Sequence, residues 1–141
     1  MNISSGRDRL QGYKNALKNR KLPVREELID ITGTKKEQTV NVIINLLNNG
    51  PPFTAVVAHN DLRAFEILYA LNKHKNFSHI EVVGFDNIEG KLMILPTFPS
   101  IDSIDSLAHI SIELLIRRLK NRDAEPKQVI LDVKLNNIKQ P

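Results

Sequence analysis

Two short apolar runs, FTAVVA (Phe53 to Ala58) and IEVVGF (Ile80 to Phe85), flank a stretch in which apolar residues recur at helical spacing. Each run is too short for a helix and rich in residues that favour strands, so each predicts a buried strand, FTAVVA one covered on both faces. The helical stretch between them starts near Leu62 and fades by Lys75. Strand, helix, strand in this order is the unit of a parallel sheet with a crossover helix.

The alternation extends along the chain. Leu10, Tyr13 and Leu17 predict a helix over Arg7 to Arg20, which Pro23 closes. ELIDIT (Glu27 to Thr32) predicts a strand. Val40, Ile43, Ile44 and Leu47 predict a helix ending before Asn48-Asn49-Gly50-Pro51-Pro52. A loop with Gly90, Pro96 and Pro99 leads to a helix from about Ile104 to Asn121, and QVILDVKL (Gln128 to Leu135) predicts a last strand. The fold class expected is therefore α/β, a mainly parallel sheet with helices on both faces. At 141 residues the chain fits one domain and can bury roughly two thirds of the surface its unfolded form exposes.

Function classes narrow quickly. With no cysteine, disulfides and thiolate chemistry are excluded. The opening MNISSGRDRL has no apolar secretory core, and no apolar run is long enough to span a bilayer, so no membrane partner and a cytoplasmic location are expected. The net charge of +4 raises the question of nucleic acid. The basic clusters KNRK (Lys18 to Lys21) and RRLKNR (Arg117 to Arg122) lie near helix C-termini, where cations complement the helix dipole, and that reading is preferred to a nucleic-acid patch. There is no Walker A loop, no G-x-G-x-x-G after a strand and no G-x-S-x-G elbow. His74 and His79 lack a usual metal spacing, and His109 with Glu113 is an ordinary i,i+4 surface pair. No nucleophile, base and orienting acid assemble. An enzyme is not expected, nor a cofactor or metal.

The chemistry-bearing residues sit at strand ends. His59, Asn60 and Asp61 follow FTAVVA directly, and Asp86 with Asn87 follows IEVVGF. In open parallel sheets ligands bind beyond the carboxyl ends of strands, so these two clusters would share one rim. Two roles stay open for them. Asn60 or Asp61 serves as a helix N-cap, and Asp86-Asn87 as a turn. Alternatively they face a ligand, offering donors and acceptors suited to neighbouring hydroxyls or ring nitrogens. The serines of FPSIDSIDS are read as turn and cap residues.

Two helices carry more apolar surface than one sheet face requires. After Asn60-Asp61, the stripe Ala64, Ile67, Leu68 and Leu71 is joined by Leu62, Phe65 and Tyr69, which implies either a second subunit or a deeply buried helix. In the Ile104 helix, Leu107, Ala108, Ile110, Ile112, Leu114, Leu115, Ile116 and Leu119 surround most of the circumference, and such a helix needs cover on several sides.

Three segments in order resemble the lactose/galactose-repressor (LacI/GalR) family of bacterial transcription regulators. RDRLQGYKNAL is similar to a family helix carrying Arg-x-x-Gly-aromatic-x-x-Ala. PPFTAVVAHNDLRAFEILYAL is similar to the segment carrying Asn-Asp-x-x-Ala, and IEVVGFDNIE to the segment ending Gly-aromatic-Asp. The resemblance implies a fold like the type I periplasmic binding proteins, two α/β lobes with a small effector between them. It implies that residues 1–141 are a partial effector-binding domain, the C-terminal lobe, with 104–121 a helix belonging to the N-terminal lobe. The function implied is effector sensing and dimerisation in a regulator responding to a sugar or similar polar metabolite. The alternative is the sugar-binding module of a transport or sensory receptor. By the same resemblance Arg9, Asn60 and Asp86 touch the effector, Asp61 lies beside the pocket, and Phe65, Tyr69 and Ile94 fall at the dimer surface. Arg9 and Asp86 are also suited to pairing with each other. The partners implied are a sugar-like effector, a second copy of the chain, and DNA only through a separate head domain. The chain departs from the family pattern in three places. Thr34 stands where an aromatic residue is common, PSIDSI replaces a Thr-Thr-containing segment, and His109 takes the place of a helix glycine.

Overall fold

The computed structural model describes residues 4–30, 36–73, 77, 79–88 and 98–136. Helix α1 (Ser4–Asn19) half-buries Leu10, Tyr13 and Leu17 on one face, with Arg9 beside them. It ends in a two-bond cap. Leu22 N donates to Leu17 O at 2.9 Å and Lys21 N to Lys18 O at 2.9 Å, while Lys21 adopts the left-handed φ of 57° that such caps require.

The strand expected over Glu27 to Thr32 begins instead as a 3-10 turn, Glu26–Leu28. Long-range ties override the local apolar pattern. Lys14 Nζ reaches Glu26 Oε1 at 2.7 Å, and Arg25 Nη2 donates to Pro52 O at 2.9 Å, so this segment straps α1 to the loop before the sheet. Ile31, Thr32 and Thr34 lie outside the described residues, as does His74.

Helix α2 (Lys36–Asn49) buries Ile43 and packs Val40, Ile44 and Leu47 against the core, as the spacing predicts. Strand β1 (Ala55–Val57) pairs parallel with β2 (Glu81–Phe85), with Val56 opposite Val82. Between them runs α3 (Asp61–Lys73), which packs on β2 and against α2. Its buried side chains are Asp61, Ala64, Ile67, Ala70 and Leu71, and the two alanines let the helix backbone lie close to the sheet. The core consists of these residues with Ile43, Ala58, Ile80, Val82 and Phe98.

Two expectations about the sheet need correction. FTAVVA is not covered on both faces, because Ala55 and Val57 on one face of β1 are exposed, Val57 at 60%, while Val56 on the other is half-buried. Strand β2 likewise alternates, burying Val82 and Gly84 under α3 while Val83 and Phe85 are only half-buried. Secondly, the proline- and serine-rich segment read as loop contains a strand, β3 (Ser100–Asp102), parallel to β2. Its ladder bonds are Gly84 N to Pro99 O and Asp86 N to Ile101 O, both 2.8 Å.

Helix α4 (Ile104–Lys120) follows β3, and β4 (Lys134–Asn136) returns antiparallel to it, giving the order β1-β2-β3-β4. The last strand is much shorter than QVILDVKL predicts, because β3 offers only three residues to pair with, and Ile130 is left 88% exposed. Leu107, Ile112, Leu115, Ile116 and Leu119 of α4 are exposed in this chain.

Candidate functional site

Strands β1, β2 and β3 run parallel, so their carboxyl ends share one edge of the sheet. His59, Asn60 and Asp61 leave that edge after β1, Asp86 and Asn87 after β2, and Asp102 ends β3. Helix α1 brings Arg9 to the same edge from outside the sheet. Arg9 Nη1 donates to the backbone oxygen of His59, and Nη2 lies 3.6 Å from Asp86 Oδ1. Its guanidinium carbon sits 3.7 Å from the centre of the Phe85 ring. A cation over a ring face is attracted by the ring quadrupole, and the planar guanidinium stacks well there. Arg9, Asn60 and Asp86 are thus brought together on one rim.

Asn60 is the cap of α3. Its Oδ1 accepts a hydrogen bond from Arg63 N at 3.1 Å, and its backbone oxygen accepts from Ala64 N. That leaves the Asn60 Nδ2 donor without a protein partner among the described residues. Asp61 takes a different place from its neighbour. It is fully buried; Oδ1 accepts from Ser100 Oγ at 2.7 Å, and Oδ2 accepts from Ile88 N at 2.7 Å. Its carboxylate therefore points beneath the rim rather than into it. Close approach to the sheet is possible because Gly84 has no side chain. A Cβ there would collide with Asp61 Oδ1 and stand 2.7 Å from Phe98 Cε2.

A buried polar group is tolerated only when hydrogen-bonded, and this cluster is connected throughout. Ser100 Oγ, besides donating to Asp61, accepts from Asn87 N at 3.0 Å, and Asn87 Nδ2 donates to Asp102 Oδ2 at 3.1 Å. Asp86 and Asn87 carry φ values of 99° and 48°, so both turn residues are left-handed. Ser100 and Asp102 were missed in the sequence, where the serines of this segment looked like turn and cap residues. The signal available was the Ser-Ile-Asp alternation, which puts both polar side chains on the same face of a strand.

The charges on the rim perturb one another. Burial raises the Asp86 pKa above its ordinary 3.8, opposed by the Arg9 guanidinium and reinforced by the Asp61 carboxylate. Burial lowers the His59 pKa below its ordinary 6.5, helped by Arg9 and opposed by Asp86. A neutral imidazole, a guanidinium, a carboxylate and a free amide donor form a mixed donor–acceptor set. It suits a polar, uncharged ligand with several hydroxyls. Among the described residues no group of three or more His, Asp or Glu side chains could hold a metal ion. Two shallow hollows of about 460 and 420 Å³ run along α4, lined by residues such as Glu113, Arg117 and Leu115. Neither touches the rim, which is a single open wall.

On α3, Phe65 is half-buried and meets Phe98 edge to face, with ring centres 5.0 Å apart. Tyr69 and Leu62 are exposed. Ile94 lies outside the described residues. His109 Nε2 lies 3.3 Å from Glu113 Oε1, the surface pair their spacing suggested.

Comparison with known proteins places these features. The sequence profile of the periplasmic binding protein-like domain matches residues 2–137. The HTH-type transcriptional regulator MalR of Clostridium butyricum is 33% identical over 131 residues, covering 90% of this chain and 38% of that protein. The structure of a LacI family transcriptional regulator from Enterococcus faecium with bound ribose superposes with a TM-score of 0.77 at 26% identity, covering 93% of this chain and 49% of that one. A transcriptional regulator CelR–cellobiose complex gives 0.75 at 26% identity, covering 90% of this chain and 40% of that one. The chain spans about two fifths of the length of the curated relatives it matches. These relatives are transcription regulators, and no described helix is long and apolar enough to cross a membrane.

Proposed function

Because the chain belongs to the family of periplasmic binding protein-like domains, in the form found in LacI/GalR-type regulators, we propose that it is the effector-sensing and dimer-forming portion of such a regulator, acting in the cytoplasm. The effector is a sugar or a similar small polar metabolite. The observation that carries the reading is the Arg9–Asp86 pair, stacked on Phe85 beside the Asn60 amide. It is a pre-formed set of donors and acceptors around the ends of parallel strands, where such sheets take ligands. Support comes from the ribose and cellobiose held by two structural relatives.

In this reading residues 1–141 are a partial effector-binding domain, the C-terminal lobe, with α4 a helix that belongs to the N-terminal lobe. The exposed apolar surface of α4 is covered by a second lobe, and the rim supplies one wall of the cleft between them. Arg9, Asn60 and Asp86 contact the effector, while Asp61 supports them from below. Leu62, Phe65 and Tyr69 of α3 form the surface for a second copy, and Ile94, outside the described residues, joins them by the family resemblance alone. DNA is bound by a separate head domain, and effector binding shifts the population of lobe arrangements that this head senses.

The experiment is a titration of the isotopically labelled chain with ribose, cellobiose and a panel of other mono- and disaccharides, followed by amide chemical shifts. At least one sugar should move Arg9, Asn60, Asp86 and Asn87 together, and Asp86→Ala should abolish the response. A panel that leaves these amides in place overturns the sugar-effector reading.

A further inference from the structure

The rim depends on a backbone turn that L residues adopt reluctantly. Asp86 and Asn87 are consecutive left-handed residues, and neither is glycine. Asp and Asn tolerate the left-handed region better than most residues, but as single residues rather than pairs. Such a turn persists only when its surroundings over-determine it.

The surroundings here come from beneath the sheet edge. Ile88 N, directly after the turn, donates to Asp61 Oδ2 at 2.7 Å. Asn87 N, inside the turn, donates to Ser100 Oγ at 3.0 Å, and that hydroxyl spends its own proton on Asp61 Oδ1 at 2.7 Å. One fully buried carboxylate therefore fixes two successive amides, one directly and one through a fully buried hydroxyl. A third tie, Asn87 Nδ2 to Asp102 Oδ2, anchors the same residue to the end of β3. Asp86 N is held by Ile101 O at 2.8 Å, which leaves its carboxylate as the free end of the turn, beside Arg9.

We propose that Asp61 and Ser100 are positioning residues of the rim: the Asp61 carboxylate, acting on Ile88 directly and on Asn87 through the Ser100 hydroxyl, holds the turn left-handed and so presents the Asp86 carboxylate to Arg9 and to a bound effector. Neither touches the effector. The part concerning the effector rests on the sugar-sensing reading above; the part concerning the turn does not.

The test uses the full chain labelled with 15N. The Arg9 Nε–Hε cross-peak reports the surroundings of the guanidinium, and Asp86→Ala supplies its position once the pair is gone. Ser100→Ala removes the hydroxyl, Ser100→Thr keeps it, and Ser100→Cys keeps the volume with a weaker donor in case the alanine variant does not fold. The alanine variant, or the cysteine variant in its place, should move the Arg9 cross-peak toward its Asp86→Ala position and speed amide exchange at Asn87. The threonine variant should stay near wild type. Affinity for the sugar that moves the wild-type rim should fall on the order of ten-fold in the variant lacking the hydroxyl, the worth of about one lost hydrogen bond. A lower melting temperature with the Arg9 cross-peak unmoved means that Ser100 only packs, and overturns the proposal. If no sugar binds wild type but the cross-peak moves, the sugar reading falls and the turn-holding role stands. If sugar binds wild type and the variant equally, the positioning role falls and the sugar reading stands.

Discussion

Asp61 Oδ1 occupies the space that any side chain on Gly84 would need. Gly84→Ala must therefore push either the buried carboxylate or Phe98 aside, and both are packed in the core. Overpacking of this kind costs about 1–3 kcal/mol, and urea denaturation should record a loss in that range. Gly12 supplies the contrast. It is exposed in the middle of α1 and a Cβ there meets nothing within 4 Å. Gly12→Ala should stabilise the chain by about 0.5–1 kcal/mol through helix propensity alone. Opposite signs for the two variants are the expected result, and a stabilising Gly84→Ala would contradict the described packing.

Lys21 closes α1 in a left-handed conformation usually given to glycine. The steric penalty for an L residue there is roughly 1–2 kcal/mol, partly offset in a glycine variant by its extra freedom in the unfolded chain. Lys21→Gly should raise stability by about 0.5–1 kcal/mol in thermal denaturation. A decrease would mean that the cap is not formed in solution.

The lowered pKa of His59 gives stability a pH dependence of definite sign. The unfolded chain takes up a proton near the ordinary value of 6.5, while the folded chain resists until lower pH. Between the two values the unfolded state binds more protons, so stability is fully present above 6.5 and declines as pH falls through that window. His59→Gln should remove this slope from the urea midpoint measured between about pH 5 and 8. Asp86 acts in the opposite direction. Its raised pKa makes the folded state bind more protons just above 3.8, so its contribution favours folding as the solution becomes more acid.

The exposed leucines and isoleucines of α4 set an expectation for the chain on its own. Leu115 and Leu119 are 58% and 69% exposed, and Ile112 lies on the same face. Apolar surface of this extent drives association or binds hydrophobic dyes. Light scattering at high concentration should show self-association, and Leu115→Lys with Leu119→Lys should reduce both the assembly size and the dye signal. A clean monomer that binds no dye would contradict an open apolar face. Tyr69→Glu, on the other exposed stripe, should weaken assembly independently.

The sequence made the helices legible because each writes its buried face at a 3.6-residue period; Val40, Ile43, Ile44 and Leu47 define α2 from the sequence alone. Strands β1 and β2 were visible as apolar runs, but a run does not say how many faces are covered. That depends on what packs on each face, and Val57 stays 60% exposed. Strand β3 was missed because two of its three residues are polar, and nothing local announces that Ser100 and Asp102 will be paired in the interior. The glycine of IEVVGF gave no local sign that it makes room for a carboxylate 23 positions earlier in the chain. Asn60, Asp61, Asp86 and Asn87 were suspected because polar side chains after strands gather on one edge. Arg9 came only from the family resemblance, since α1 is polar and carries a second arginine, Arg7, and no periodicity distinguishes one from the other.

Arg9 belongs to the first helix yet clasps the backbone oxygen of His59, a residue 50 positions along the chain. Contacts of such sequence separation form slowly, because loop closure must precede any reward from them. The join between α1 and the carboxyl edge of the sheet is therefore expected to form later than the local contacts within α1 and α3. A chain whose first helix has frayed loses this clasp, while β1, β2 and β3 stay paired with one another.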